Sequence, residues 1–238
     1  MATNDIFPKA SWIQSKADIV FCIDVTQSMQ YCIDGIKSNI KIFVEGLQTS
    51  AIIDYRLALI AYRDIHDEKI YEKGRRACDE PWVIRDFTKD VKEFITWLEL
   101  PDVRAYGGGD EPESTLDALY LAINRDSWRD KAHRVIVLFT DSDTHPTLHH
   151  KTYSRRDNTV NRIIQDFQTM KHGMIYLVVP RCQVYETLEQ AAHSASRIVF
   201  AEYIPNDDRG LKSVDFSELL ESIGATVSAT SLNLRDMI

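Results

Sequence analysis

The amino-acid sequence predicts an α/β protein built on one open, mostly parallel sheet, with helices on both faces and one short antiparallel edge strand. Three observations predict it. Apolar runs of strand length alternate with amphipathic stretches of helix length along the whole chain. Most of these runs are nearly continuous Val, Ile, Leu and Phe, as in strands covered on both faces. No internal repeat, low-complexity tract or Pro/Gly/Ser-rich linker interrupts the alternation. The 238 residues are therefore read as a single domain over 17–230, with an N-terminal arm at 1–16 and a tail at 231–238.

The elements follow in order. The run 18–24 (DIVFCID) is the first strand. In 28–48, Ile33, Ile36, Ile40, Phe43, Val44 and Leu47 recur at spacings of three and four, one apolar stripe at helical period. Strand 56–62 (RLALIAY) follows. Residues 82–87 (WVIRDF) alternate apolar with polar and make the antiparallel edge strand. Val91, Phe94, Ile95 and Leu98 mark a helix over 89–99, and Leu116, Leu119, Tyr120 and Ile123 another over 114–125. Strand 135–140 (VIVLFT) is followed by a helix over 158–171, strand 174–180, a helix near 185–194, strand 197–204 and a last helix near 215–227. Trp82, Trp97 and Trp128 are expected in or at the edge of the core, and Trp12 against the N-terminal arm. The stretches 63–81, 101–113 and 141–157 are loop-rich, and long loops in a compact domain tend to hold function.

Composition narrows the function classes. There are 28 Lys+Arg against 36 Asp+Glu, a net charge of −8, which argues against the broad basic footprint of a nucleic-acid binder. No apolar run approaches the ~20 residues of a membrane helix, and the first residues lack the basic and apolar regions of a signal peptide. The four cysteines (Cys22, Cys32, Cys78 and Cys182) form no CxxC. Free thiols in a reducing cytoplasm are expected, which argues against a Cys22–Cys32 disulfide. There is no GxSxG and no GxxxxGK[ST].

In a doubly wound sheet, ligands sit at the carboxyl ends of the strands. Asp24, Thr26 and Ser28 lie there, in DVTQSM. One reading makes this the N-terminus of the next helix, with Thr26 or Ser28 as cap and Asp24 at its positive end. Two further loops favour a second reading. VIVLFT leads into Asp141, with Ser142 and Asp143 beside it. Gly107-Gly108-Gly109-Asp110 precedes a helix. If strands 18–24 and 135–140 are neighbours, Asp24 and Asp141 emerge side by side and need a cation or protons to offset their repulsion. Asp, Ser and Thr oxygens suit Mg²⁺, with Mn²⁺ as an alternative, rather than zinc.

Four stretches in this order resemble a von Willebrand factor type A (vWA) domain: DIVFCIDVTQSM, AYRDIHDE (61–68), GGGDEPESTLDALYLAI (107–123) and VIVLFTDSDTHP (135–146). The similarity spans about residues 17–205 and is greatest to the subgroup with DxTxSM, YRD and GGGDxPE motifs, found beside alpha-kinase domains and in stand-alone microbial proteins. The resemblance implies a Rossmann-like sheet topped by a metal-ion-dependent adhesion site. Thr26 and Ser28 would supply hydroxyls to the metal; Asp24 and Asp141 would bind it through water. Asp110 would stand where the family usually has a Thr, with Ser114 and Thr115 as the other donors in that loop. The implied function is a cytoplasmic, non-enzymatic adaptor that captures an Asp or Glu of a partner, such as a kinase, protease or ATPase acting in trans, with neither nucleic acid nor membrane involved. The alternative is a metal-dependent hydrolase using the same carboxylates, with His145 as acid or base.

Other polar features have plainer expectations. Tyr62-Arg63-Asp64 is read as a structural turn whose charges pair or bond loop backbone. His145, His149 and His150 with Asp143 could hold a transition metal, but more simply form a surface loop. Arg75-Arg76 and Arg155-Arg156 are read as solvated pairs.

Overall fold

The computed structural model describes residues 15–50, 52–65, 81–107, 112–191, 198–200, 211 and 214–233. Its strands are β1 (Ser15–Asp24), β2 (Ile52–Tyr62), β3 (Trp82–Thr88), β4 (His133–Phe139), β5 (Gly173–Val178) and β6 (Ile198–Phe200). They form one sheet in the order β3-β2-β1-β4-β5-β6, parallel throughout except for β3, which runs antiparallel to β2 at the edge. The helices are α1 (Gln30–Ser50), α2 (Val91–Glu99), α3 (Thr115–Ile123), α4 (Val160–Thr169), α5 (Gln183–Ala191) and α6 (Phe216–Asn233).

The period-two geometry of β1 divides the core between the two faces. Ala17, Ile19, Phe21 and Ile23 point into the layer packed by α1, α2 and α6. Val20 and Cys22 point into the layer packed by α3, α4 and α5. The helical stripe of α1 is buried as its spacing predicts. Trp128 is buried, while Trp82 and Trp97 sit partly buried against the two layers. Trp12 and Arg75-Arg76 lie outside the described residues, and Arg155-Arg156 is exposed.

β1, β2 and β4 start two or more residues before their predicted runs, at Ser15, Ile52 and His133, and the beginnings of β1 and β2 carry charges that pair across the sheet. Asp18 on β1 lies in register with Arg56 on β2. Its buried carboxylate accepts from Arg56 Nε at 2.9 Å and from Arg129 Nε at 2.8 Å. Arg129 also donates to Asp54 at 2.7 Å. This network closes the amino end of the sheet, opposite to the functional end. The last helix runs to Asn233, past the expected 227. Beyond Ile198–Phe200, the expected strand to 204 falls outside the described residues.

The chain moves from β1 outward to β2 and β3, then returns to place β4 on the other side of β1. The connections therefore diverge above β1 and β4, the position at which sheets of this kind form a crevice. No helix among the described residues is long and apolar enough to cross a membrane.

Candidate metal centre

Asp24 ends β1 and is completely buried. Its Oδ1 accepts the backbone N–H of Thr26 at 2.8 Å, and its Oδ2 accepts the Thr140 hydroxyl at 2.7 Å. Thr140 follows β4, and its hydroxyl in turn accepts the N–H of Ser142 at 3.2 Å. Burial pushes the Asp24 carboxyl up to about 6; the Thr26 and Thr140 hydrogen bonds oppose that rise and the charge of Asp141 adds to it.

Asp141 approaches from the next strand. Its Oδ1 accepts the Ser28 hydroxyl at 3.1 Å. Residues 27–29 form one 3-10 turn before α1, with Thr26 at its N-cap position, yet the Thr26 side chain makes no cap hydrogen bond. Its hydroxyl acts instead on the Asp24 carboxylate. Both hydroxyls of DVTQSM therefore face acids from the strand ends rather than the orphan N–H groups of the helix. The two carboxylates are close enough to be felt together: the buried Cys32 thiol is raised by burial first and by Asp24 and Asp141 next.

The remaining loops brace this arrangement. Gln27 N–H donates to Gly107 O at 2.9 Å, and Tyr106 N–H donates to Val25 O at 2.9 Å, so residues 105–107 run beside the first loop. Gly107 has φ +74°, a left-handed value that suits glycine. Arg63 is buried, and its guanidinium donates to the carbonyls of Arg104 at 2.8 Å, Tyr106 at 3.3 Å and Asp102 at 3.4 Å. This is the structural turn expected of Tyr62-Arg63-Asp64.

Asp64 serves the opposite side. Its Oδ1 accepts the Ser114 hydroxyl at 2.9 Å and lies 2.9 Å from His145 Nε2, while Ser114 Oγ accepts Ile65 N–H at 2.8 Å. Backbone bonds from Glu113 N to Asp143 O, 2.9 Å, and from His145 N to Glu113 O, 3.0 Å, zip the second and third loops together. Sequence reading missed this Asp64–Ser114–His145 network and the role of Thr140. The only signal for Thr140 was its place directly before Asp141.

Asp24, Thr26, Ser28 and Asp141 are thus brought together, whereas Asp110 lies outside the described residues. The other two donors considered for its loop are engaged elsewhere, Ser114 with Asp64 and Thr115 with the Tyr62 hydroxyl at 3.1 Å. Among the described residues, no three or more His, Cys, Asp or Glu gather as a metal cluster. His145, His149, His150 and Asp143 therefore do not form the transition-metal site considered for them. His149 is buried against His150, with ring centroids 4.1 Å apart. The converging donors are two carboxylates and two hydroxyls, hard oxygens whose chemistry fits Mg²⁺ or Mn²⁺. A buried acid raised to about 6 beside a second acid is also the charge imbalance that a divalent cation relieves.

A solved structure, von Willebrand factor type A from Catenulispora acidiphila, matches 90% of this chain with a TM-score of 0.51 at 15% identity. The fold is that of a von Willebrand factor type A protein. The vWA likeness also appears in sequence: the alpha-protein kinase vwkA of Dictyostelium discoideum is 28% identical over 134 residues, 56% of this chain. The chain spans 43% of the solved vWA protein and 19% of vwkA. No family model matches it. Cys22, Cys32 and Cys182 are free thiols, the first two buried.

Proposed function

We propose that this chain is a non-enzymatic protein-binding module of the vWA family, in the DxTxSM/YRD/GGGDxPE subgroup, whose strand-end loops hold Mg²⁺ or Mn²⁺. Thr26 and Ser28 are its hydroxyl donors, Asp24 and Asp141 its outer carboxylates, and Asp110 the donor from the second loop. When bound there, the ion supplies an electrophilic position at which a partner's Asp or Glu can replace water. The chain's own residues orient the hydroxyls, neutralise the ion in part and exclude bulk water from beneath it.

One observation carries this reading: the hydroxyls of Thr26 and Ser28 face Asp24 and Asp141 instead of capping the helix. The vWA fold and the similarity to vwkA support it. We further propose an adaptor role with a kinase, protease or ATPase acting in trans, in a reducing cytoplasm that would suit the free thiols. A hydrolase using His145 gains no support, because that ring is held on Asp64 within a bracing network.

The test is calorimetric titration of Mg²⁺ and Mn²⁺ into metal-free protein, followed by binding of a Glu-containing peptide with and without EDTA. Saturable metal binding that Asp141→Ala abolishes is expected. Absence of metal binding in the wild type removes the proposal.

A further inference from the structure

Among the described residues, three large apolar side chains are strongly exposed: Tyr31 at 47%, Ile84 at 44% and Tyr106 at 48%. Ile84 belongs to the edge strand β3, two strands to the side of β1 in the sheet. The two tyrosines belong to the segments that flank the candidate metal loop. Tyr31 follows Ser28 by three residues at the start of α1, the spacing of neighbours on one helix face. Tyr106 is spliced to that loop by the bond from its own N–H to Val25 O.

Neither ring is loose. Tyr31 meets the ring of Phe216 edge-on, with centroids 6.2 Å apart, and Phe216 is itself buried against Phe139. The Arg104 guanidinium lies 5.3 Å from the Tyr106 ring centre. Each tyrosine is braced on one side and open to water on the other. Pre-oriented aromatic surface of this kind costs little entropy to cover, and Tyr and Arg are the residues around which binding energy concentrates.

We propose that Tyr31 and Tyr106 form an aromatic rim to the metal centre that selects a partner segment whose Asp or Glu stands beside an aromatic or aliphatic residue. The inference rests on the metal reading, since the ion receives the acid. The charge of Arg104 favours the same acidic segment. A nucleic acid would also find stacking surface on the two rings, but a long polyanion is repelled by a chain whose net charge is −8, whereas the proposed segment brings a single acid to the ion.

The experiment measures fluorescence anisotropy of short labelled peptides with full-length protein in Mg²⁺ and in EDTA. The peptides are identical except for a central Glu-Phe, Glu-Ser or Gln-Phe. Glu-Phe should bind about tenfold tighter than Glu-Ser, and Gln-Phe should bind no better in Mg²⁺ than in EDTA. The Tyr31→Ala/Tyr106→Ala double variant should bring Glu-Phe down to the Glu-Ser level, while its Mg²⁺-induced rise in melting temperature stays that of the wild type. Tyr31→Phe/Tyr106→Phe should keep the preference. Equal binding of Glu-Phe and Glu-Ser, an unchanged preference in the double alanine variant, or no peptide binding despite a Mg²⁺-induced rise would overturn the rim and leave the metal reading standing. No Mg²⁺-induced rise in the wild type would overturn both.

Discussion

Ser28 donates its hydroxyl to Asp141 across 113 residues of chain, joining the turn after β1 to the turn after β4. A surface-facing serine spent on a carboxylate from another strand, rather than on its own helix, is what an oxygen site for a hard cation needs. If Mg²⁺ binds the folded state only, a concentration near a hundred times its Kd adds about 2.7 kcal/mol. For a chain of this size that raises the Tm by roughly 5–10 °C. Differential scanning fluorimetry across a Mg²⁺ series checks this. Ser28→Ala and Asp141→Ala should melt cooperatively but show little or no response.

The buried Asp24 carboxyl predicts a pH dependence whose sign can be worked out. Its value, about 6 in the fold, lies above the ordinary 3.8, so the folded state binds the proton more tightly than the unfolded chain. The resulting cost is absent below about pH 4, grows between 4 and 6, and is complete above 6, where two units amount to about 3 kcal/mol. In EDTA at pH 7.5, Asp24→Asn should therefore be more stable than the wild type by up to that amount, less what the amide loses in its bond to Thr140. The difference should vanish near pH 4. Urea denaturation at the two pH values measures it, and a wild type equally stable at both, relative to the variant, contradicts it.

Much of this centre was legible because acids and hydroxyls stand directly after apolar runs, where a parallel sheet delivers its strand ends. Ile19 to Ile23 and Val135 to Phe139 read as buried strands since both their faces are covered, and pairing Ile23 with Phe139 brings Asp24 near Asp141. The strand beginnings were not legible. Lys16, Asp54, His133 and Arg134 break the apolar pattern, and Asp54 finds its partner, Arg129, only across 75 residues of chain. The Asp64–Ser114–His145 network was hidden for the same reason, as it joins three loops with no local periodicity to announce it.

Arg63 should prove a positioning residue for the first loop. Removing its guanidinium leaves the partly buried carbonyls of Asp102, Arg104 and Tyr106 without that donor, at a cost of about 1–3 kcal/mol. Arg63→Lys should recover only part, because one ammonium cannot reproduce the planar fork. Hydrogen exchange should quicken over residues 101–107, and Mg²⁺ affinity should fall with Asp24, Ser28 and Asp141 all intact. Unchanged exchange in Arg63→Ala would contradict the bracing role.

The crossing of α1 and α6 gives a ranked stability test away from the loops. A Cβ at Gly224 would stand 2.7 Å from the Phe43 carbonyl oxygen, a backbone atom that cannot swing aside. At Gly46 the nearest atom is the Glu221 carbonyl oxygen at 3.4 Å, ordinary contact or nearly so. Alanine gains up to about 1 kcal/mol of helix propensity over glycine at either position. That gain should leave Gly46→Ala near neutral, while the clash makes Gly224→Ala destabilising by about 1–3 kcal/mol. Gly35→Ala should be destabilising as well, since a Cβ there would stand 2.6 Å from Cδ2 and Cγ of the buried Phe216 ring, and Cγ does not move when the ring turns. Because Phe216 backs Tyr31, Gly35→Ala should also disturb the environment of that tyrosine, visible as a near-UV circular dichroism change that Gly46→Ala lacks. Equal destabilisation by Gly46→Ala and Gly224→Ala would mean that the helices are not seated on these glycines.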